Sequence, residues 1–127
     1  VWMRVVVNER EVTVASIHLH WPWPYKQYGQ ITDISSHLAQ LPQPLVIAGD
    51  FNAAPWSHAV ARIADASRTR VAPGLRLTLK MGPLGMGPWP VLPIDHVLVP
   101  SDAMASVQLL PSAGSDHLPL IARVTLP

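Results

Sequence analysis

The chain has 127 residues, a length that supports one domain with a real hydrophobic core. Its formal net charge is +1 and only 13% of its residues are charged, which excludes the strongly basic surface of proteins that bind nucleic acid mainly by neutralising phosphates. It has no cysteine, so disulfides and thiolate zinc sites are excluded, and no apolar run reaches the roughly 18 residues of a membrane-spanning helix. No signal peptide is visible, and the compartment stays unknown.

The first 20 residues predict a β-hairpin. Apolar, β-branched runs at residues 2–7 and 12–19 flank a polar turn. His18 and His20 share one face of the second strand by its two-residue period, close to its end. A histidine there can act as a general acid or base, or it can simply pack beside the tryptophans that follow, and the spacing leaves both readings open.

A helix is predicted over residues 25–40, where apolar side chains recur at spacings of three and four and Pro24 suits the first turn. A short buried strand at 45–49 then leads into Asp50, Phe51 and Asn52. Because side chains alternate along a strand, Asp50 and Asn52 are expected to point the same way, with Phe51 in the core.

Asp50 and Asn52 offer two oxygen ligands at the carboxyl end of a buried strand, where a hard cation such as Mg²⁺ could bind. The alternative is that Asp50 caps the next turn and Asn52 stabilises it. The spacing of these two residues alone does not separate the two interpretations.

A second helix is predicted over residues 58–66, with Ser57 as its N-cap. Residues 68–93 carry many breakers and no clear period, and 81–93 are predicted to form a long loop of the kind that is usually functional or disordered. Arg76 and Lys80 precede this loop and could meet a phosphate, although a solvated role is favoured for each.

The last third of the chain predicts three strands, at residues 94–99, 105–110 and 119–126. Asp95 stands inside the first of them, where a carboxylate is costly unless it is paired, and a histidine is a natural partner. Asp116 and His117 lie in the polar turn before the last strand. Such a pair can bind metal, carry out acid–base chemistry or cap a turn.

These sites combine oxygen ligands for a divalent metal with histidines that can stabilise or move charge, the combination that phosphoryl transfer needs. The sequence here resembles the endonuclease/exonuclease/phosphatase family, which includes DNase I-like nucleases, apurinic endonucleases and neutral sphingomyelinases. The resemblance runs from about Val12 to Val124. The matching motifs are Ser16-Ile17-His18-Leu19, Gly49-Asp50-Phe51-Asn52, Ile94-Asp95-His96-Val97-Leu98-Val99 and Gly114-Ser115-Asp116-His117-Leu118-Pro119.

The resemblance implies an α/β fold, the DNase I-like four-layer sandwich of two mixed, largely antiparallel sheets flanked by helices. It also implies a phosphoester hydrolase that uses Mg²⁺ or Mn²⁺ and an activated water for in-line attack. By motif, Asp50 would position or deprotonate the water and also contact the metal, and Asn52 would hold the scissile phosphate. The substrate would be a phosphoester, such as nucleic acid or a small phosphate ester.

The remaining roles also follow from the motifs. Asp116 would be a metal ligand, and His117 would contact the phosphate with Asp95 as its orienting carboxylate. His18 would be the second histidine that faces the phosphate, with His20 as its rival.

One part of the family pattern has no counterpart in the sequence. The family fold carries, in its amino-terminal half, an asparagine and the glutamate that is the principal Mg²⁺ ligand, whereas Glu9 and Glu11 fall in the hairpin turn. Residues 1–127 are therefore expected to be the carboxy-terminal portion of one such domain, which would bind Mg²⁺ weakly and turn over poorly alone. The partner that this implies is the missing amino-terminal half, and no other stable protein partner is indicated.

Two alternatives stay open. The chain could be a catalytically incomplete or non-catalytic binding module in which the family site survives. It could instead bind apolar surfaces through Trp21, Trp23, Trp56 and the 81–93 loop, because tryptophans often anchor interfaces.

Overall fold

The computed structural model of the chain describes residues 1–24, 26–80 and 90–127. These residues form nine strands and two helices. In chain order they are β1 (Trp2–Val7), β2 (Arg10–His18), α1 (Gln27–Leu38), β3 (Leu45–Asp50), α2 (His58–Ser67), β4 (Thr69–Val71), β5 (Leu79–Lys80), β6 (Pro90–Leu92), β7 (Asp95–Pro100), β8 (Met104–Leu109) and β9 (Leu120–Thr125).

The main sheet has five strands in the order β1-β2-β3-β7-β4. β2 and β3 run parallel because α1 connects them as a crossover, and the other neighbours in this sheet are antiparallel. Two further pairs, β5-β6 and β8-β9, form two-stranded antiparallel sheets. The carboxyl ends of β2 and β3 therefore lie side by side, next to the start of β7.

The two faces of the main sheet bury different partners. On one face, Ile47 and Leu98 pack with Ile31 of α1 and Ile63 of α2 in the larger apolar cluster. On the other face, a smaller cluster joins side chains of β3 and β7 to those of the β8-β9 pair: Val46, Ala48, Val97, Val99, Ala105, Val107 and Val124. The alternation of side chains along β3 thus separates Ile47 from Val46 and Ala48.

The α/β class with mixed sheets is confirmed, and the hairpin and the strands that contain the family motifs form where the sequence predicts them. Ser57 caps α2 as predicted, since its Oγ accepts a hydrogen bond from the backbone N–H of Val60 at 3.2 Å. Neither helix in the described part of the chain is long and apolar enough to cross a membrane.

Two local predictions are wrong. Pro24 is not in the first turn of α1, which begins at Gln27 after Lys26 takes a left-handed backbone conformation with φ of 55°. Residues 90–92, predicted as part of a loop, form β6 and pair with β5. The rest of that predicted loop up to residue 89 lies outside the described residues.

Candidate active site

His18, Asp50 and Asp95 lie in one row across three neighbouring strands. The register places His18 beside Asp50 in the parallel β2-β3 pair, and Asp50 opposite Asp95 in the antiparallel β3-β7 pair. Residues in one row of a sheet share a face. This row is on the face that carries Ala48 and Val97, against which β8-β9 packs.

His117 approaches the row from the segment between β8 and β9. A bridge between Leu79 and His117 joins this segment to β5. The imidazole Nδ1 of His117 lies 2.8 Å from Asp95 Oδ2, and only 28% and 18% of the two side chains are exposed. A carboxylate at this distance favours the tautomer in which Nδ1 carries a proton, so Asp95 orients the ring.

His18 is the exposed member of the group. Its Nε2 lies 3.4 Å from Asp50 Oδ2, with 77% of the His18 side chain exposed against 19% for Asp50. His20 lies beyond the end of β2, where its backbone N–H donates to Gln30 Oε1 at 2.6 Å. The structure thus brings His18 to Asp50.

Asp50 and Asn52 form a turn at the end of β3. The backbone N–H of Asn52 donates to Asp50 Oδ1 at 2.8 Å, and Asn52 has a left-handed φ of 44°. The strand ends at Asp50, so its alternation does not continue to Asn52, while Phe51 is fully buried as expected. Asp50 therefore caps the turn through Oδ1 while its Oδ2 faces His18.

Asn52 is itself buried, and its Nδ2 donates to the carbonyl oxygen of Leu19 at 2.7 Å. The backbone N–H of Leu19 in turn donates to the carbonyl oxygen of Asp50 at 2.9 Å. Asn52 therefore fastens the end of β2 to the turn that follows β3.

Gly49 lets β2 and β3 approach closely enough to form the row. Its φ is +151°, and a Cβ at this position would lie 1.9 Å from the carbonyl oxygen of Ile17. No side chain can occupy that space, which requires glycine immediately before Asp50.

Burial raises the pKa of the Asp50 carboxyl above its ordinary value, because the charged form loses solvation. The hydrogen bond from the Asn52 N–H opposes this rise, and the negative charge of Asp95 adds to it. The nearby His117 and His18 act in the lowering direction. Asp50 therefore loses its proton less readily than a solvated aspartate does.

A possible metal-binding set is formed by Asp50, Asp95 and His117, with one donor atom from each within 4.8 Å of the others. Asp116, which the motifs predict as a metal ligand, is not in this set among the described residues. It is exposed, and its Oδ1 accepts a hydrogen bond from Ser115 Oγ at 3.2 Å.

The basic residues before the predicted loop contact the protein itself. The Arg76 guanidinium donates to the carbonyl oxygens of Pro73 and Ala72 at 2.7 and 2.9 Å. The Lys80 ammonium donates to Ser112 Oγ at 2.8 Å. Lys80 is thereby joined to the segment that carries His117.

Three buried polar residues near the site were not predicted as functional. Gln27 Nε2 donates to the carbonyl oxygens of His20 and Phe51 at 2.6 and 3.2 Å. Thr78 Oγ1 accepts from the backbone N–H of Asp95, and His96 Nε2 lies 2.8 Å from the carbonyl oxygen of Ala53. No sequence motif marks the roles of Gln27 and Thr78, and Thr78 lies in the stretch without periodicity.

The three tryptophans of the apolar-surface alternative are exposed. The exposed fractions are 41% for Trp21, 85% for Trp23 and 74% for Trp56. Most of the 81–93 loop, which was predicted to contribute to the same apolar surface, lies outside the described residues.

Comparisons with known proteins agree with the motifs. The sequence model of the Endonuclease/Exonuclease/phosphatase family matches residues 3–117. A UPF0294 protein of Vibrio vulnificus (strain YJ016) is 28% identical over 123 residues, which cover 90% of this chain and 39% of that protein. The chain thus spans about two fifths of the length of this curated relative.

Two solved structures show the same fold at low identity. An endonuclease/exonuclease/phosphatase family protein from Leptotrichia buccalis C-1013-b aligns with a TM-score of 0.66 and 12% identity, over 98% of this chain and 53% of that chain. A beta toxin variant from Staphylococcus aureus, whose structure holds bound magnesium ions, aligns with a TM-score of 0.62 and 13% identity, over 95% of this chain and 56% of that chain.

Proposed function

Because residues 3–117 match its sequence model, this chain belongs to the endonuclease/exonuclease/phosphatase family, and we propose that it carries part of the active site of a divalent-metal-dependent phosphoester hydrolase. The observation that carries this proposal is the convergence of His18, Asp50 and Asp95 in one row, with His117 bonded to Asp95. Four motifs that are distant in sequence supply these groups and Asn52. The fold therefore brings groups that could serve as acid–base groups and oxygen ligands to one end of the three inner strands of the sheet.

The donor set fits a hard divalent cation. Two carboxylates and one imidazole offer donor atoms within 4.8 Å of one another, and all three side chains are partly shielded from water. Because His117 Nδ1 is hydrogen-bonded to Asp95 at 2.8 Å, the two carboxylates are the groups of this set that would hold the ion. When bound, Mg²⁺ or Mn²⁺ would neutralise charge on the phosphoryl oxygens.

The residues of the chain would divide the chemistry between them. Asp50, whose pKa is raised by burial, would orient the attacking water and accept its proton. His117, held by Asp95, would place its Nε2 toward the phosphoryl group and stabilise the developing charge. His18 would contact the phosphate from the solvent side, where it is 77% exposed.

Asn52 and Asp116 have supporting places in this proposal. The amide nitrogen of Asn52 carries two protons, of which one bonds to Leu19, and the second would meet a phosphate oxygen. Asp116 is exposed beside His117 and would complete a metal site with a carboxylate from outside this chain.

The missing amino-terminal half of the domain is the proposed source of that carboxylate. Both glutamates of the chain lie near the start of β2, and Glu11 pairs with Arg4 at 3.6 Å. Glu11 and His18 are seven positions apart along β2, about 23 Å at 3.3 Å per residue. Neither glutamate can therefore reach the row.

An open apolar surface favours the same partner. Met3 and Val7 of β1 are 58% and 53% exposed, on the face of the main sheet that β8-β9 covers only in part. The solved relatives are almost twice as long as this chain. We propose that the other half of the domain covers this face.

The alternative function is a catalytically incomplete or non-catalytic module that keeps the family site as a binding pocket. The position of the two glutamates, away from the row, favours it. The alternative predicts that metal or phosphate binds without turnover.

Hydrolysis by the 127-residue chain separates the two functions. We would measure release of 4-nitrophenol from bis(4-nitrophenyl) phosphate and from 4-nitrophenyl phosphate, with Mg²⁺ or Mn²⁺, so that diesters and monoesters are compared. The enzyme proposal predicts slow turnover that is lost in His117→Ala and kept in His58→Ala, since His58 is an exposed residue at the start of α2. Turnover that persists in His117→Ala would show that this site does not catalyse the reaction. An absence of turnover in the wild-type chain would favour the binding module.

A further inference from the structure

Thr78 connects the two segments that supply Asp95 and His117. It precedes β5 and is completely buried. We propose that Thr78 is a positioning residue that holds the Asp95–His117 pair in hydrogen-bonding register. The functional meaning of the pair rests on the proposed hydrolase, but the geometry that Thr78 maintains does not.

The side chain of Thr78 contacts the backbone that presents Asp95. Its Oγ1 accepts hydrogen bonds from the backbone N–H groups of Asp95, at 3.2 Å, and Ile94, at 3.4 Å. The backbone N–H of Thr78 donates to the carbonyl oxygen of Leu92 at 2.9 Å. These contacts fix Thr78 to the residues that lead into β7 and to the first residue of that strand.

The backbone of Thr78 contacts the segment that presents His117. Its carbonyl oxygen accepts from the N–H of Leu118 at 2.8 Å, and two residues later the N–H of Lys80 donates to the carbonyl oxygen of Asp116 at 2.8 Å. The residues on either side of His117, Asp116 and Leu118, are therefore both hydrogen-bonded to residues 78–80. One buried residue thus joins the neighbours of both members of the pair.

The hydroxyl is the part of Thr78 that a purely apolar side chain cannot replace. Without Oγ1, the N–H groups of Ile94 and Asp95 lose their acceptor inside the protein, and buried N–H groups without partners are costly. The backbone is then expected to shift toward water or another acceptor. Since the Asp95–His117 bond is 2.8 Å, a shift of a few tenths of an ångström is enough to weaken it.

Three variants of the 127-residue chain test this role. Thr78→Val keeps the shape and removes the hydroxyl, and Thr78→Ser keeps the hydroxyl. Thr69→Val is the matched control, because Thr69 is also buried and bonded, through Ser67 Oγ at 2.7 Å, but belongs to β4. The readout is ¹⁵N and ¹H NMR of the His117 ring, together with thermal unfolding of each variant.

The inference predicts a His117 Nδ1 proton that is protected from exchange in the wild-type chain and in Thr78→Ser. The signal should be lost in Thr78→Val and kept in Thr69→Val, even where the two valine variants melt at the same temperature. Retention of the signal in Thr78→Val, or its equal loss in Thr69→Val, would overturn the positioning role.

Hydrogen exchange on the wild-type chain supplies a second measurement if Thr78→Val does not fold. Because Thr78 joins them, the amides of Asp95 and Leu118 should have protection factors that agree within about tenfold. Protection factors that differ by more than tenfold would contradict the link. Neither measurement needs turnover, so a chain that shows the link but hydrolyses nothing would count against the proposed function and leave this inference standing.

Discussion

Asp50 and Asp95 stand directly opposite each other across the antiparallel β3-β7 pair. Directly opposed side chains in a sheet are about 5 Å apart at Cβ, and two like charges at that distance oppose folding. Asp95 is hydrogen-bonded to His117, whereas burial raises the pKa of the Asp50 carboxyl. The opposed pair therefore lowers the stability of the folded chain. Such a cost is common where residues are selected for function.

Replacing Asp50 by asparagine is therefore expected to stabilise the metal-free chain at pH 7, by about 1 kcal/mol. A raised carboxyl pKa means that the folded chain binds this proton more tightly than the unfolded chain. Stability is thus lost as pH rises above the ordinary aspartate value of about 3.9, and asparagine avoids this loss. Thermal unfolding at pH 7 and at pH 3.5 measures stability above and below the pH range in which the carboxyl ionises. The stability gained by Asp50→Asn should vanish at pH 3.5.

Asp102→Asn is the control for this stabilisation, since Asp102 is exposed in the turn between β7 and β8. It should change the melting temperature little at either pH. A destabilised Asp50→Asn at pH 7 would show that the contacts of the carboxylate with Asn52 and His18 outweigh its desolvation.

His96 is expected to make the chain sensitive to mild acid. Burial lowers the pKa of its imidazole, and a neutral ring donates from Nε2 to the carbonyl oxygen of Ala53. Stability is then fully present above the ordinary histidine value of about 6.5 and is lost as pH falls toward the lower pKa of the folded state. In urea unfolding, His96→Gln should flatten this part of the pH profile, although losing contact with the Phe51 ring costs about 1 kcal/mol at pH 7.

The exposed His58 supplies the comparison for this acid sensitivity. His58→Gln controls for the removal of one histidine from the surface. If His96→Gln keeps the wild-type slope, the buried imidazole is not the source of the acid sensitivity.

Gly49 and Gly29 should respond to alanine in opposite directions. A Cβ on Gly49 would meet the Ile17 carbonyl oxygen at 1.9 Å, while a Cβ on Gly29 in α1 would meet nothing within 4 Å. Gly49→Ala is expected to destabilise the chain by at least 3 kcal/mol or to prevent folding, because backbone atoms must separate. Gly29→Ala is expected to gain up to about 1 kcal/mol from helix propensity, and urea unfolding of the two variants checks both signs.

The sequence predicted the elements that are long and regular. The hairpin, the strand before Asp50 and the strand that starts near Asp95 each have apolar runs of about the length of a strand, and each of these elements forms. Family motifs added the order of the site residues, but only the register shows that His18 and Asp95 flank Asp50. Periodicity alone could not have distinguished His18 from His20, because both share a face.

The sequence could not predict the elements held together by distant contacts. β5 has two residues and β6 has three, which is too short for any period to show, and they form because they pair with each other. Thr78 is important only through N–H groups that are remote in sequence, so its own neighbours carry no signal. The start of α1 was predicted too early. Pro24 suggested the first helical turn, but Lys26 has a left-handed backbone conformation and the helix begins only after it.

Metal binding by the chain is expected to depend on Asp50 and Asp95 and to be nearly independent of Asp116. Asp50, Asp95 and His117 already have donor atoms within 4.8 Å, whereas the exposed Asp116 is outside this set. Calorimetry with Mn²⁺ should show binding that weakens more than tenfold in Asp95→Asn and Asp50→Asn, because each removes a ligand. Asp116→Asn should stay within about twofold of the wild type, and Asp102→Asn controls for the loss of one surface charge. If Asp116→Asn abolishes binding instead, the ion binds beside Asp116. Asp50, Asp95 and His117 are then a hydrogen-bonded Asp95–His117 pair with a neighbouring carboxylate, and not a metal site.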